Sequence, residues 1–260
     1  MQELSLTQEY LLCVLRNKGK ISSFDIEKGM CLTGACVLEL LLDGIISWEE
    51  KDKLSLRTHL PDRMSYLRPV YSYIEQKQPV KFKKIVERNS VTFTDQNINE
   101  IIDAVGKSLV EAGCAAEERG GLFGGKTIYV PDEKALDRVI QNIRAELLED
   151  GELSEDIIAL TALLDKSGEL SRYFSAYEKK ALKARLKEIK ENPQVKAFQK
   201  VLEDIVDCRS YLTRRRGYVK TEKYGSDSGF RIRDHRGTHA ADGSALQHSE
   251  ILYRGRLSPL

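Results

Sequence analysis

Residues Gly120–Thr127 read GGLFGGKT and satisfy the phosphate-loop pattern G-x-x-x-x-G-K-[ST], the one formal catalytic match in the chain. Such a loop needs a buried strand entering it and a helix starting at its lysine, so that amide N–H groups and the helix dipole meet the phosphates. Neither flank fits. Ala115-Ala116-Glu117-Glu118-Arg119 is no buried strand, and Ile128-Tyr129-Val130-Pro131 leaves as a strand ended by proline. A glycine-rich hairpin turn accounts for the residues better. The five cysteines stand at 13, 31, 36, 114 and 208, an odd and scattered set. Cys31 and Cys36 lie five apart on a helix, hence on different faces, and no nearby His or second Cys pair completes a zinc site. They read as buried, reduced thiols. His59 precedes Pro61 in a loop without a serine elbow or a Cys–His pair, and nothing fixes the geometry of His235, His239 and His248. No catalytic residue, metal or cofactor is assigned, and the chain reads as a non-enzyme.

The element around which these residues are arranged is Met30–Glu50, MCLTGACVLELLLDGIISWEE. Leu32, Ala35, Cys36, Leu38, Glu39 and Leu42 follow helical spacing with apolar residues on more than one face, so the helix is expected to be buried. Asp43-Gly44 ends it, since glycine takes the left-handed conformation without a Cβ clash. Ile45–Trp48 and Lys53–Arg57 then form a hairpin. Val105–Val130 repeats the order, with SLVEAG ending a helix, a strand at Cys114–Glu118 and a return strand TIYV, so a pseudo-repeated core is expected.

The remaining chain reads as helices. Ser5 and Gln8 can form a capping box for a first helix whose buried stripe is Tyr10-Leu11-Leu12, Val14 and Leu15, ended by Gly19. Ser22–Asp25 is a loop leading through a short segment, Ile26–Gly29, into the organising helix. A helix starts at Pro61-Asp62 and carries Tyr66, Val70, Tyr71 and Ile74. Val80–Asn89 (VKFKKIVERN) is amphipathic, and Lys77, Lys81, Lys83, Lys84 and Arg88 around it read as a solvated face, with a weak anionic-surface contact as the functional alternative. Thr94 or Asp95 caps a helix with Ile98, Ile101, Ile102, Val105 and Leu109 inside. Asp132 starts another helix, Ser154 caps a buried central one, Tyr177–Glu191 is a charged surface helix, and Pro193 opens the last.

At 31% charged and 41% hydrophobic, the composition is that of a globular protein large enough for one sizeable core. No apolar run approaches the roughly 20 residues of a membrane span, and a cytoplasmic location is expected. The net charge of +1 hides an asymmetry: residues 214–260 carry ten Lys and Arg against five Asp and Glu, and the preceding body 31 against 35. We therefore divide the chain into a helical domain, 1–213, and a basic tail, 214–260, which lacks periodicity and is expected to be disordered. A weakly acidic body argues against a nucleic-acid partner. Helix-then-hairpin units are nevertheless those of a winged helix, and a nucleic-acid-binding protein of that type is the alternative, although Leu32–Leu42 carries no Lys or Arg.

Four stretches resemble the Golgi phosphoprotein 3 family in the right order: LSLTQEYLLCVL, GACVLELLLDGIISWE, SLVEAGCAAEE and DIIALTALLDKSGEL. The resemblance spans roughly residues 3–210 and is to the bacterial type. It implies a mainly α, single multi-helix domain with short winged-helix-like β-hairpins, and a non-enzymatic protein peripheral to membranes. Golgi members of the family read phosphatidylinositol 4-phosphate and bind cytosolic tails of glycosyltransferases, so an anionic lipid surface and protein tails are the implied partners. By alignment, Phe24 falls at the aromatic position of the family's lipid site, and the arginine positions fall on Thr33, Asn99 and Ile102. Arginine forks hold phosphate bidentately, which these three side chains cannot do. Phe24 is carried over as a lipid-binding residue, with Lys28 and Lys107 as looser anion contacts. The hairpin Gly121–Val130 is expected to touch membrane or a second copy through Leu122, Phe123, Ile128, Tyr129 and Val130. These are more apolar than a solvated hairpin needs, and the family's hairpin is implicated in insertion and self-association.

Overall fold

A computed structural model of the chain describes residues 3–15, 21, 25–90, 95–120, 125–148, 154–189, 200–205 and 207. The chain is mainly helical, with small antiparallel sheets, as its periodicity predicts. Contacts gather Met1–Tyr218 into one compact unit; the second, Val219–Leu260, lies outside the described residues, as does the tail from 214.

The core is built on α1 (Leu6–Val14), α2 (Ile26–Leu42) and α7 (Glu155–Lys166). The expected stripe on α1 understates its burial, for every residue from Leu6 to Val14 is buried. Several of its polar groups are held inside by partners on other helices. The Thr7 N–H donates to Glu39 Oε2 at 2.8 Å, and Gln8 Nε2 donates to Ser108 Oγ at 3.0 Å. Ser5 N–H donates to Gln8 Oε1 at 3.0 Å, one half of the anticipated capping box. Helix α2 is buried from Lys28 to Leu40, and the Ser154 hydroxyl caps α7 by accepting from the Ile157 N–H at 3.3 Å.

The repeated unit is present in both copies. α2 leads to β1 (Ile46–Glu49) and β2 (Lys53–Leu56); α5 (Gln96–Glu111) leads to β4 (Ala115–Gly120) and β5 (Lys126–Pro131). Both helices end the same way. Gly44 (φ 67) and Gly113 (φ 69) take the left-handed conformation, and the next N–H, of Ile45 or Cys114, reaches back to Leu40 O at 2.9 Å or Leu109 O at 2.8 Å. This closing bond satisfies an orphan carbonyl and turns the chain straight into the strand. The GGLFGGKT pattern lies across the second hairpin, where Gly120 pairs with Lys126 and Arg119 with Thr127. A strand follows the lysine, so the phosphate-loop geometry is absent.

Four expectations need correction. Ile26–Gly29 is no separate segment but the first turn of α2, tied in by the Thr33 hydroxyl on Gly29 O at 3.0 Å. The helix expected from Pro61 is a 3₁₀ helix, Asp62–Leu67, followed by α3 (Arg68–Lys77), with Pro69 in the first turn where its missing N–H costs nothing. Val80–Lys81 is β3, an edge strand on β2 with Leu54 opposite Val80, and α4 begins only at Phe82 and runs to Ser90. Helix α1 ends at Val14 with Leu15 as its cap, ahead of Gly19, which is outside the described residues. Asp132 accepts from the Ala135 N–H at 2.8 Å and starts α6 (Glu133–Leu148), as read from its type. A short helix α8 (Leu170–Tyr173) precedes the charged helix α9 (Ala176–Ile189), and residues 200–205 are helical. Cys13, Cys31, Cys36 and Cys114 are buried, and among the described residues none of them forms a disulfide. Burial pushes the Cys13 and Cys36 thiols upward, leaving them protonated and inert.

Candidate anion-binding cleft

Helices α3, α4 and α5 border an open surface cleft of about 650 Å³ lined by Arg68, Lys77, Arg88 and Lys107, with two carboxylates, Glu100 and Asp103. Spacing explains the gathering. Arg68 and Lys77 stand at the two ends of α3, Arg88 sits in the last turn of α4, and Glu100, Asp103 and Lys107 share one face of α5. Lys107 is exposed and one turn from Asp103, while Arg88 is half-buried. The Arg88 guanidinium lies 4.9 Å from the Tyr73 ring centroid and donates to Asn89 Oδ1 at 3.0 Å. Asn97 Nδ2 holds the Arg88 carbonyl at 2.9 Å. Asn89 Nδ2 is buried and finds no acceptor among the described residues. Among the described residues, none of the four cations forms a salt bridge, although Lys107 attracts Asp103 and Arg68 lies 5.7 Å from the Tyr71 ring centroid. Burial raises the Asp103 pKa, an effect Lys107 opposes.

The residues singled out from the sequence separate into three groups. Lys107 lies in the cleft. Lys28 does not: it is buried, with Nζ 2.7 Å from Glu169 Oε1 and 3.2 Å from Asp25 Oδ2. Its charge is consumed inside the fold, which corrects its expected role as a lipid contact. Phe24, Leu122 and Phe123 lie outside the described residues. At the three positions aligned with arginine, Thr33 and Ile102 are buried and Asn99 is exposed, so no cation is present there.

In the second hairpin Tyr129 is buried, only 1% exposed, while Ile128 and Val130 are half-buried. The Tyr129 ring lies flat on α5, so close that a Cβ at Gly106 would come within 2.4 Å of it. Gly106 therefore admits the ring, and the ring pins the hairpin to the core rather than offering itself to a membrane or a second copy. The hydroxyl, without a hydrogen bond of good geometry, faces Asp103. Burial first, then the Asp103 and Glu117 carboxylates, push its pKa up to about 12.

Sequence reasoning did not pick out Arg68 and Tyr73, and it gave Lys77 and Arg88 a weak anionic-surface contact only as the lesser reading. Arg88 was visible among the basic residues around α4, but a solvated face and one wall of a cleft have the same periodicity; only the approach of α3 and α5 distinguishes them. The winged-helix alternative loses its first copy here, since α2 is buried from Lys28 to Leu40 and has no face to lay in a groove. The exposed side of α5 carries Glu100, Asp103 and Glu111 beside Lys107, a poor match to a phosphate backbone.

Among the described residues no helix is long and apolar enough to cross a membrane. A comparison with curated proteins found no match. The model of the Golgi phosphoprotein 3 (GPP34) family matches residues 6–205, which takes in both helix–hairpin units, the buried helices α1, α2 and α7, and all three walls of the cleft. The chain belongs to the Golgi phosphoprotein 3 family.

Proposed function

We propose that this protein is a non-enzymatic peripheral membrane adaptor that attaches reversibly to anionic lipid surfaces, with the α3–α4–α5 cleft as its contact. The observation that carries the reading is the convergence of Arg68, Lys77, Arg88 and Lys107 on one cleft without ion pairing among the described residues. Cations already matched by carboxylates would contribute little to an anionic surface; unmatched ones contribute about 1 kcal/mol each near it. Protein tails and a second copy remain the proposed macromolecular partners, and no cofactor enters the account.

Phosphatidylinositol 4-phosphate is expected to bind no tighter than other anionic lipids at equal surface charge, because Thr33, Asn99 and Ile102 cannot form an arginine fork. Co-sedimentation with vesicles matched for charge checks this at physiological salt. A clear head-group preference that Phe24→Ala abolishes would restore the family's lipid site to this chain.

The hairpin tip gives a separate expectation. Tyr129 already anchors β5, so Leu122→Glu with Phe123→Glu is expected to leave the melting transition within the shift of about 1 kcal/mol. The same variant loses vesicle binding or self-association, since burying those two side chains supplies about 3–5 kcal/mol. A variant that unfolds would show instead that the tip belongs to the core.

A further inference from the structure

The cleft is not uniformly basic, for its lining carries both signs of charge. Arg68, Lys77 and Arg88 come from α3 and α4, whereas Glu100 and Asp103 both come from α5, with Lys107 one turn beyond Asp103. Among the described residues no salt bridge joins any of the four cations to either carboxylate, although Lys107 and Asp103 attract each other. A ligand bearing only negative charge binds through the four cations but meets Glu100 and Asp103 as like charges in the same cleft, which weakens its binding. A ligand with a phosphate and, two carbons away, an ammonium group satisfies both sets. The phosphate accepts from the guanidinium and ammonium donors, and the ligand's N–H groups donate to the carboxylates. Asp103 and Lys107 stand one helical turn apart on α5, about 6 Å of rise along the axis, so both signs of charge lie within the reach of one small ligand. The volume of about 650 Å³ lies within the range of small-ligand clefts and exceeds what a bare ion requires.

The aligned lipid positions are elsewhere on α5. At 100° per residue, Glu100, Asp103, Ala104 and Lys107 form one face, and Ile102 stands well to the side of it. We propose that the α3–α4–α5 cleft binds a phosphate ester carrying a primary ammonium group, of the phosphoethanolamine class, either as a lipid head group or as a free ester. The inference rests on the reading of the cleft as the contact with lipid surfaces and names the ligand chemistry of that contact.

The test is an NMR titration of the full-length chain, isotopically labelled, with O-phosphoethanolamine and with methyl phosphate, which has the phosphate but no ammonium. O-Phosphoethanolamine is expected to bind roughly tenfold more tightly, the equivalent of about 1.4 kcal/mol, with shifts on the amides of Glu100–Lys107. Glu100→Gln with Asp103→Asn is expected to remove that difference while methyl phosphate still binds; Arg88→Gln with Lys107→Gln weakens both ligands. All four substituted side chains lie at the cleft surface, and the melting transition of each variant checks that it folds. Equal affinity for the two esters, or a preference that survives loss of both carboxylates, overturns the inference. Vesicles then separate the sources. With phosphatidylglycerol held constant, replacing phosphatidylcholine by phosphatidylethanolamine raises binding if the ligand is a lipid, and leaves it unchanged if the ligand is the free ester. Should neither ester bind while charge-dependent vesicle binding persists, the inference falls and the membrane reading stands; loss of vesicle binding as well removes both.

Discussion

Replacing Lys28 with methionine is expected to lower the melting temperature by roughly 6–12 °C, the shift corresponding to about 3 kcal/mol in a domain of this size. Lys28 and Glu169 are buried, 5% and 3% exposed, with 2.7 Å between Nζ and Oε1. Removing the ammonium leaves a carboxylate in the core, which is the costly half of breaking a buried pair. The loss falls at the lower end of its usual range because Arg172 still holds Glu169 Oε2 at 2.6 Å. Lys28→Met with Glu169→Leu, which removes both charges together, is expected to recover most of the stability. The experiment also decides where Lys28 acts. A residue facing lipid would, on mutation, weaken vesicle binding and leave the fold intact; Lys28→Met is expected to do the reverse. Thermal unfolding and vesicle binding of the single and double variants check both halves.

Stability is also expected to fall as pH rises from about 4.5 to about 8, the window set by Glu9. This carboxyl sits on the fully buried helix α1, and its pKa is raised to about 8, first by burial and then by Asp156, Glu3, Glu146 and Glu39. The fold therefore favours the protonated form. Below the unfolded-state value both states hold the proton, and the stability is fully present. As pH climbs through the folded-state value, the unfolded chain has already released the proton, and folding must either retain it or bury a charge. The span corresponds to roughly 3–5 kcal/mol. Asp156 is shifted in the same direction, again chiefly by burial. Glu9→Gln, which keeps the shape and discards the charge, is expected to match the parent near pH 4.5 and to melt well above it at pH 8. A flat profile shared by parent and variant would contradict the assignment.

Much of the architecture is legible in the sequence because it rests on local rules. The Asp43-Gly44 and Ala112-Gly113 stops, the Ser154 cap and the apolar stripe of α5 depend on residues a few positions apart, and each lies where its type requires. What escaped depends on distant neighbours. Lys28 is polar and looks like surface until Glu169, far along the chain, folds over it. The polar residues of α1 suggest one buried face, whereas partners from α2 and α5 bury all of it. Tyr129 has the composition of an exposed tip; only Gly106, on the facing helix, provides its seat. The cleft fails to announce itself for the same reason: its cations come from three helices, and no single helix carries more than two of them.

Co-sedimentation of the full-length chain with anionic vesicles, compared with an Arg68→Gln, Arg88→Gln, Lys107→Gln variant, tests the cleft as the membrane contact most directly. Arg68 and Lys107 are exposed and Arg88 is half-buried, so the triple variant is expected to keep its fold, with a melting temperature near that of the parent. The parent is expected to sediment with phosphatidylglycerol vesicles at physiological salt, and the variant to stay largely in the supernatant. Equal sedimentation of a folded variant, or a parent that ignores the vesicles, would contradict the account.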